Sequence, residues 1–258
     1  MALVDRDATV IALDSALCQE AVFKPNAALI HPEAKGAFGR VHPSWLLCGW
    51  TASPGAQLCA VKIAHDGRDA FTAMQNEVDV LTHLGNHPSI IRLYGHFILD
   101  GMLQQEACMF LELGEIDVLT YINKKRAGGA LNEQEVVWFG SQIAAGLTHC
   151  HSKFIAHLDV KPENTVLVGT CVKLIDFGCA TRMDRNREVQ FREHLLGTPE
   201  FAGPELYRRT TFDGGGADVW SLGVSMFHLA FTIQPFPSNV DPGTRYSILG
   251  KGSFCQAM

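Results

Sequence analysis

The stretch HLDVKPEN, residues 157–164, holds three side chains whose types and spacing suit one kind of chemistry. The carboxylate of Asp159 can orient an attacking hydroxyl and accept its proton. The ammonium of Lys161 can offset charge on a transferring phosphate, and Asn164 offers an oxygen ligand for Mg2+. Twelve residues further on, DFG (176–178) closes the apolar run VKLI. Asp176 can bridge Mg2+ to phosphate oxygens, and Gly178 lets the backbone turn. Upstream, Lys62 stands inside the apolar run LCAVKIA, where an ammonium needs an anion or an edge from which to reach water. Glu77, fifteen residues on, can be that anion, which would leave Lys62 to hold the α- and β-phosphates of a nucleotide. AKGAFGRV (34–41) adds glycines that bring backbone N–H groups close to phosphate oxygens, although many glycine-rich turns are only turns.

These residues must be positioned by regular elements, and the apolar pattern says which. LCAVKIA (58–64) and ACMFLEL (107–113) are short apolar runs of strand length. Between them Phe71, Met74, Val78, Leu81 and Leu84 recur at three- and four-residue steps, which predicts a helix over 69–85 stopped by Gly85, with Glu77 on its polar side. After residue 117 the character becomes mostly helical. Asn132 and Glu135 form a capping box, and Val136, Ile143, Leu147 and Cys150 mark the buried face of a helix running to about Ser152. TVLV and CVKLIDF read as two strands joined by Gly169-Thr170, and 217–232 reads as a buried helix. The fold class is α+β, with a strand-rich part over 1–113 and a mostly helical part over 114–258.

Composition narrows the alternatives. With 258 residues, 47% hydrophobic and 19% charged, the chain suits a globular protein of one large domain or two lobes. A net charge of −6 supplies no basic field for nucleic acid. VWSLGVSMFHLAFT (219–232) is too short to span a bilayer, and the N-terminal MALVDRDATVIALD has no secretory pattern. Eight scattered cysteines without a C-x-x-C pair suggest reduced thiols in the cytoplasm or nucleus. The cluster His149, Cys150, His151 lacks a second ligand pair at metal spacing and reads as a helix end. The terminal CQAM formally matches a prenylation signal on Cys255 with weak support around it.

AKGAFGRV, AVK, Glu77, HLDVKPEN, DFG, GTPEFAGPE (197–205) and DVWSLGV (218–224) occur in this order, and the whole from about Ala34 to Phe254 resembles a eukaryotic protein kinase of the serine/threonine type. The resemblance implies a bilobal fold, an ATP and Mg2+ requirement and a protein substrate. It places Asp159, Lys161, Lys62 and Glu77 in catalysis. Nucleotide contacts would come from Gly36, Ala37, Phe38, Gly39, Val41, Ala60, Lys62, Glu112, Leu113, Asp117, Lys161, Asn164, Leu167 and Asp176, with Asn164 and Asp176 on the metal. Leu111 would stand at the gatekeeper position, and Thr198 would hydrogen-bond near Asp159 and Lys161. Asp117 and Glu163 would attract arginines before the phosphoacceptor, unless both are simply solvated acids.

The departures from the family pattern bear on function. Ala34 replaces the first lid glycine and Gly203 the alanine of A-P-E. DPGTRYSILGKGSF (241–254) fits the helix after QPF better than a second glycine lid. The family's last two helices would then be missing from the end of the domain. Leu158 stands where the family usually carries an arginine that grips a phosphate on the activation loop. From Arg182 to Gly197 that loop, RMDRNREVQFREHLLG, holds no serine, threonine or tyrosine. The two absences agree, and they predict activity independent of loop phosphorylation, with Arg182, Arg185, Glu188 or Glu193 ordering the loop by ion pairs. The alternative is a kinase-fold nucleotide-binding scaffold without turnover.

Overall fold

A computed structural model describes residues 4–5, 8–11, 21–25, 34–35, 39–48, 56–64, 67–100, 105–126, 131–192, 197–208 and 210–236. The expectations for Gly36, Ala37, Phe38, Glu193 and the tail with Cys255 fall outside these residues. The chain divides into two compact units, Met1–Asn86 with Ile91–Gly114, and His87–Ile90 with Glu115–Met258.

The first unit is built on one antiparallel sheet. In chain order its strands are β1 (Val4–Asp5), β2 (Ala8–Ile11), β3 (Ala21–Pro25), β4 (Ala34–Lys35), β5 (Gly39–Cys48), β6 (Ala56–Ala64), β7 (Leu93–Asp100) and β8 (Gln105–Glu112). Their spatial order is β1-β2-β3-β5-β6-β8-β7, with β4 paired to β5. β6 therefore lies inside the sheet, and the edge-strand reading of Lys62 is ruled out. Helix α1 (Arg68–Leu84) is the one helix described in this unit and ends at Gly85, whose N–H reaches Leu81 O. All five of the apolar residues that announced it are buried. Glu77 corrects the sequence reading: it lies on the buried face, at 1% exposure, beside Met74 and Val78. A carboxylate is tolerated there because a lysine meets it.

The second unit contains β9 (Ile116–Asp117), α2 (Val118–Arg126), α3 (Glu133–Ser152), β10 (Ile155–Ala156), β11 (Thr165–Val168), β12 (Cys171–Leu174), β13 (Thr181–Arg182), β14 (Glu188–Val189), β15 (Phe212–Asp213) and α4 (Gly214–Phe231). The Asn132–Glu135 capping box opens α3 as expected. Ile143, Leu147 and Cys150 are buried with Phe139, whereas Val136 is only half-buried. β11 and β12 form the anticipated hairpin, and β9 adds to its other side.

Helix α4 starts three residues earlier than its apolar run suggests. Gly214, Gly215 and Gly216 are poor helix formers, but the Asp213 carboxylate accepts from Gly215 N and Gly216 N at 2.9 and 3.1 Å. A side chain at Gly214 would lie 2.8 Å from both Ala156 and Val189, so the close approach itself requires glycine. Nor is α4 buried all round, since Val219 and Phe231 are exposed. No helix among the described residues is long and apolar enough to cross a membrane.

Residues His87–Ile90 belong to the second unit although α1 and β7, which flank them, belong to the first. The His87 ring stacks on His149 with centroids 4.5 Å apart. Leu174 N donates to Ser89 O at 2.9 Å, and Ile90 bridges Leu174.

Candidate active site

In the first unit the register of the sheet places Lys62 opposite Val41 on β5 and Met109 on β8. Lys62 is 5% exposed, and its Nζ donates to Glu77 Oε2 at 2.7 Å. The strand thus presents an ammonium that is nearly dry yet paired, and such an ammonium can take a phosphate as a further ligand. Ala60 is buried and pairs with Leu111, also buried, on β8. Glu112 ends β8, its N–H donating to Arg92 O at 2.8 Å, and Leu113 follows outside the strand. Gly39 opens β5 opposite Ala64.

In the second unit Asp159 is the centre of a network. Its Oδ1 accepts from Thr198 N at 2.8 Å and from the Thr198 hydroxyl at 2.7 Å. Its Oδ2 accepts from Lys161 Nζ at 2.9 Å and from Asn164 Nδ2 at 2.7 Å. Lys161 Nζ also donates to the Thr198 hydroxyl oxygen, and Asn164 Nδ2 to Asp159 O. Thr198, proposed from the motif alone, therefore meets both of its expected partners. The sequence separation is 39 residues, so the contact is made by folding rather than by local geometry.

The loop carrying Asp159 has little regular structure of its own, and an aspartate on α4 holds it. Asp218 is fully buried and accepts from His157 N at 2.9 Å and Leu158 N at 2.8 Å, while His151 Nε2 lies 2.8 Å from its Oδ2. Asp218 stands in the DVWSLGV motif, which by itself assigns it no task. The signal was present, since a carboxylate within a largely apolar helix must find donors. His157 completes the support: its Nδ1 accepts from Asp159 N at 3.3 Å, its Nε2 is 3.1 Å from Ile175 O, and its ring packs on Phe177 at 4.7 Å.

Asp176 follows β12 at the mouth of the turn Phe177–Cys179 and adopts φ +60°, the left-handed region. A non-glycine residue there is strained, by about 1–3 kcal/mol. Its neighbour Ile175 donates N–H to Asn164 O at 3.0 Å, which couples the DFG turn to the catalytic loop. The donor set fits Mg2+. Asn164 turns its amide nitrogen to Asp159 and so leaves Oδ1 for a cation. With the Asp176 carboxylate it offers hard oxygen ligands, and Mg2+ characteristically adds water and phosphate oxygens to one or two such groups.

Other candidates have local duties. Asp117 Oδ1 accepts from Thr120 N at 2.7 Å and so caps α2. Leu167 pairs with Ile116, and Glu115 N donates to Leu167 O at 2.8 Å. Glu163 is exposed. Glu205 has its carboxyl pushed above the ordinary glutamate range, chiefly by burial. It folds back on Gly203, where an alanine Cβ would sit 2.2 Å from its Oε1. His149, Cys150 and His151 diverge: one stacks on His87, one is a core thiol pushed upward by burial and by Asp218, one meets Asp218. No group of three metal-ligating side chains occurs among the described residues.

The ion-pair expectation for the activation segment is not met by Arg182, Arg185 and Glu188, while Glu193 lies outside the described residues. Among the described residues Arg182, Arg185 and Glu188 form no ion pair within the segment. Backbone pairing replaces it: β13 pairs with β10, β14 pairs with β15, and Asp184 Oδ1 accepts from Asn186 N and Glu188 N at 2.8 and 2.9 Å. The reason is sequence economy at a turn, where a short acid satisfies its own backbone before it can reach an arginine.

The chain is similar to known proteins over most of its length. It is 31% identical over 218 residues to a probable serine/threonine-protein kinase MARK-A of Dictyostelium discoideum, covering 82% of this chain and 19% of that protein. It is 31% identical over 176 residues to an Aurora kinase of the same organism, covering 68% and 43%. With human myosin light chain kinase family member 4 the identity is 33% over 219 residues, covering 83% and 52%. The chain therefore spans only part of the length of these relatives. Residues 35–255 match the protein kinase domain, so the chain belongs to the protein kinase family.

Proposed function

We propose that this chain is a serine/threonine protein kinase that transfers the γ-phosphate of Mg·ATP to protein hydroxyls. The observation that carries the reading is the Asp159 network, in which one carboxylate is joined to Lys161, Asn164 and the Thr198 hydroxyl. Asp159 orients the substrate hydroxyl and takes its proton, at the oxygen where the Thr198 hydroxyl now donates. Lys161 offsets charge on the phosphoryl group in flight. Lys62, positioned by Glu77, holds the α- and β-phosphates, and Ala60, Glu112 and Leu113 serve the adenine side. Asn164 and Asp176 hold the metal, which when bound neutralises charge on the β- and γ-phosphates.

Two finer properties belong to this reading. Exposed Glu163, with the Asp117 oxygen that does not cap α2, favours arginine before the acceptor residue. Activity does not depend on phosphorylation of the activation segment, because Arg182–Gly197 offers no acceptor and Leu158 no cation. A cytosolic or nuclear setting accords with Cys59, Cys108, Cys150, Cys171 and Cys179, none of which is joined in a disulfide.

The test is transfer of labelled phosphate from ATP to arginine-containing serine peptides, with Asp159→Asn as control, before and after phosphatase treatment. Transfer by the wild type alone, unchanged by phosphatase, supports the reading. Nucleotide binding without transfer by either protein points to the scaffold alternative, and loss of activity after phosphatase overturns the phosphorylation-independent part.

A further inference from the structure

We infer that Leu158 is a positioning residue: by apolar packing it holds the first leg of the activation segment, and the chain that follows the second leg, on the catalytic loop, in place of a charge-dependent latch. The inference rests on the kinase reading above and names how that site is kept in order.

Leu158 is 4% exposed and lies in an apolar cluster with Met183, Val189, Ala202, Leu206 and Phe212. Met183 and Val189 belong to the first leg of the segment, Ala202 and Leu206 follow its second leg, and Phe212 comes from the strand that pairs with β14. One side chain thus belongs to a cluster assembled from the first leg of the segment and from the chain beyond its second leg. Its backbone is equally constrained. Leu158 adopts φ +61°, which is unfavourable for a leucine, and Asp218 secures its N–H. The second leg also closes on its carbonyl: Gly197, at φ +57°, approaches so near that a Cβ there would lie 2.3 Å from Leu158 O. The next residue, Thr198, then reaches Asp159. The left-handed turn at Leu158 therefore sends the side chain into the segment's apolar cluster while its neighbour Asp159 faces Thr198.

Arg182, Arg185, Arg187 and Glu188 form no ion pair among the described residues, so the apolar cluster is the side-chain contact observed between this part of the segment and the catalytic loop. An apolar latch is permanent and indifferent to salt, whereas a latch made of exposed charges weakens as ionic strength rises. The strained backbone at position 158 is maintained because the surrounding contacts over-determine it.

Trypsin cleavage at Arg185 and Arg187 in the exposed turn reports release of the segment, and peptide kinetics report its positioning. For Leu158→Ala we expect cleavage to accelerate about tenfold and kcat/KM for the peptide to fall about tenfold, mostly in kcat, while the Kd for ATP stays within about twofold. Leu158→Met restores most of both, because volume and polarity are kept. Val189→Ala, on the segment side, reproduces the effect, and the double variant is no worse than the poorer single one. Wild-type cleavage is unchanged between low and molar salt once trypsin's own salt response is subtracted with an unstructured peptide. Cleavage and kcat/KM near wild-type values in Leu158→Ala overturn the inference. So does full additivity of the two alanine variants, or a loss of ATP affinity matching the loss of turnover. If Leu158→Ala shows no cooperative melting, Val189→Ala and Leu158→Met carry the decision. A wild type that transfers no phosphate refutes the kinase reading, and the cleavage series still judges the latch.

Discussion

Lys62 and Asp159 are both charged groups paired with other side chains, and two different kinds of scaffold hold them. Lys62 sits on an interior strand of a regular sheet and meets Glu77 on a regular helix, so sheet register and helical period suffice to bring them within 2.7 Å. Asp159 sits on irregular chain, and its position depends on donors from Lys161, Asn164 and Thr198 together with an acceptor, Asp218, arriving from α4. A group on regular elements can be placed by a pair. A group on a loop has to be tied from several directions, because nothing in its own backbone bonding fixes it.

Asp159→Asn removes the proton acceptor while keeping the shape, and phosphate transfer should fall by about a thousandfold or more. Melting should stay cooperative and above the assay temperature despite the donors facing the new amide, which makes the lost turnover a matter of chemistry rather than folding. A fall of less than about tenfold in a labelled-ATP assay would mean that another group takes the proton.

The tie from α4 comes next. Asp218→Ala strands the N–H groups of His157 and Leu158 and leaves His151 without its carboxylate, so urea unfolding should show a loss of about 4 kcal/mol. A loss under about 1 kcal/mol would show that the loop is tied elsewhere.

The paired site should respond differently to single and double changes. Glu77→Gln leaves a buried ammonium with a weaker partner and should cost about 3 kcal/mol. Lys62→Met with Glu77→Leu replaces the pair by apolar groups and should recover most of that stability, with transfer still abolished. Recovery of activity in the double variant would remove Lys62 from the phosphate site.

At the small end, Asn132→Ala removes the α3 cap and should cost about 1 kcal/mol with turnover unaffected. The His87–His149 stack supplies a pH effect whose sign is set. Burial, then His149, then Lys173 lower the pKa of His87 below its ordinary 6.5. Folding therefore favours the neutral ring. That contribution is whole above about pH 6.5 and is lost as the pH falls through the depressed value. Urea midpoints compared at about pH 7.5 and about pH 5.5 should separate less in His149→Phe than in the wild type, and an equal separation would assign the acid loss to other groups.

How much could be read in advance followed from the range of the causes. The helix at 68–84, the capping box of α3 and the hairpin at 165–174 express periods and turn chemistry contained within a few residues, so the amino-acid order carries them whole. The spacing of Asp159, Lys161 and Asn164 was legible for the same reason. Glu77 was put on the wrong side of its helix because the period counts a carboxylate as polar and cannot see the lysine that lets it be buried. The start of α4 was missed because propensity weighs three glycines against a helix, whereas their closeness to Ala156 and Val189 depends on chain brought from elsewhere.

Chemical identity and local order were therefore written in the chain: a carboxylate, an ammonium and an amide at phosphoryl-transfer spacing, and a segment with nothing to phosphorylate. What folding added was partnership across long separations. Asp218 is 60 residues from Leu158 N, and Thr198 is 39 from Asp159. Leu158, conspicuous in the sequence only for the cation it lacks, acquires its role from the apolar neighbours gathered around it. Burial and hydrogen bonding between distant residues are properties of three-dimensional packing, and no local pattern encodes which of many eligible donors or apolar side chains will arrive.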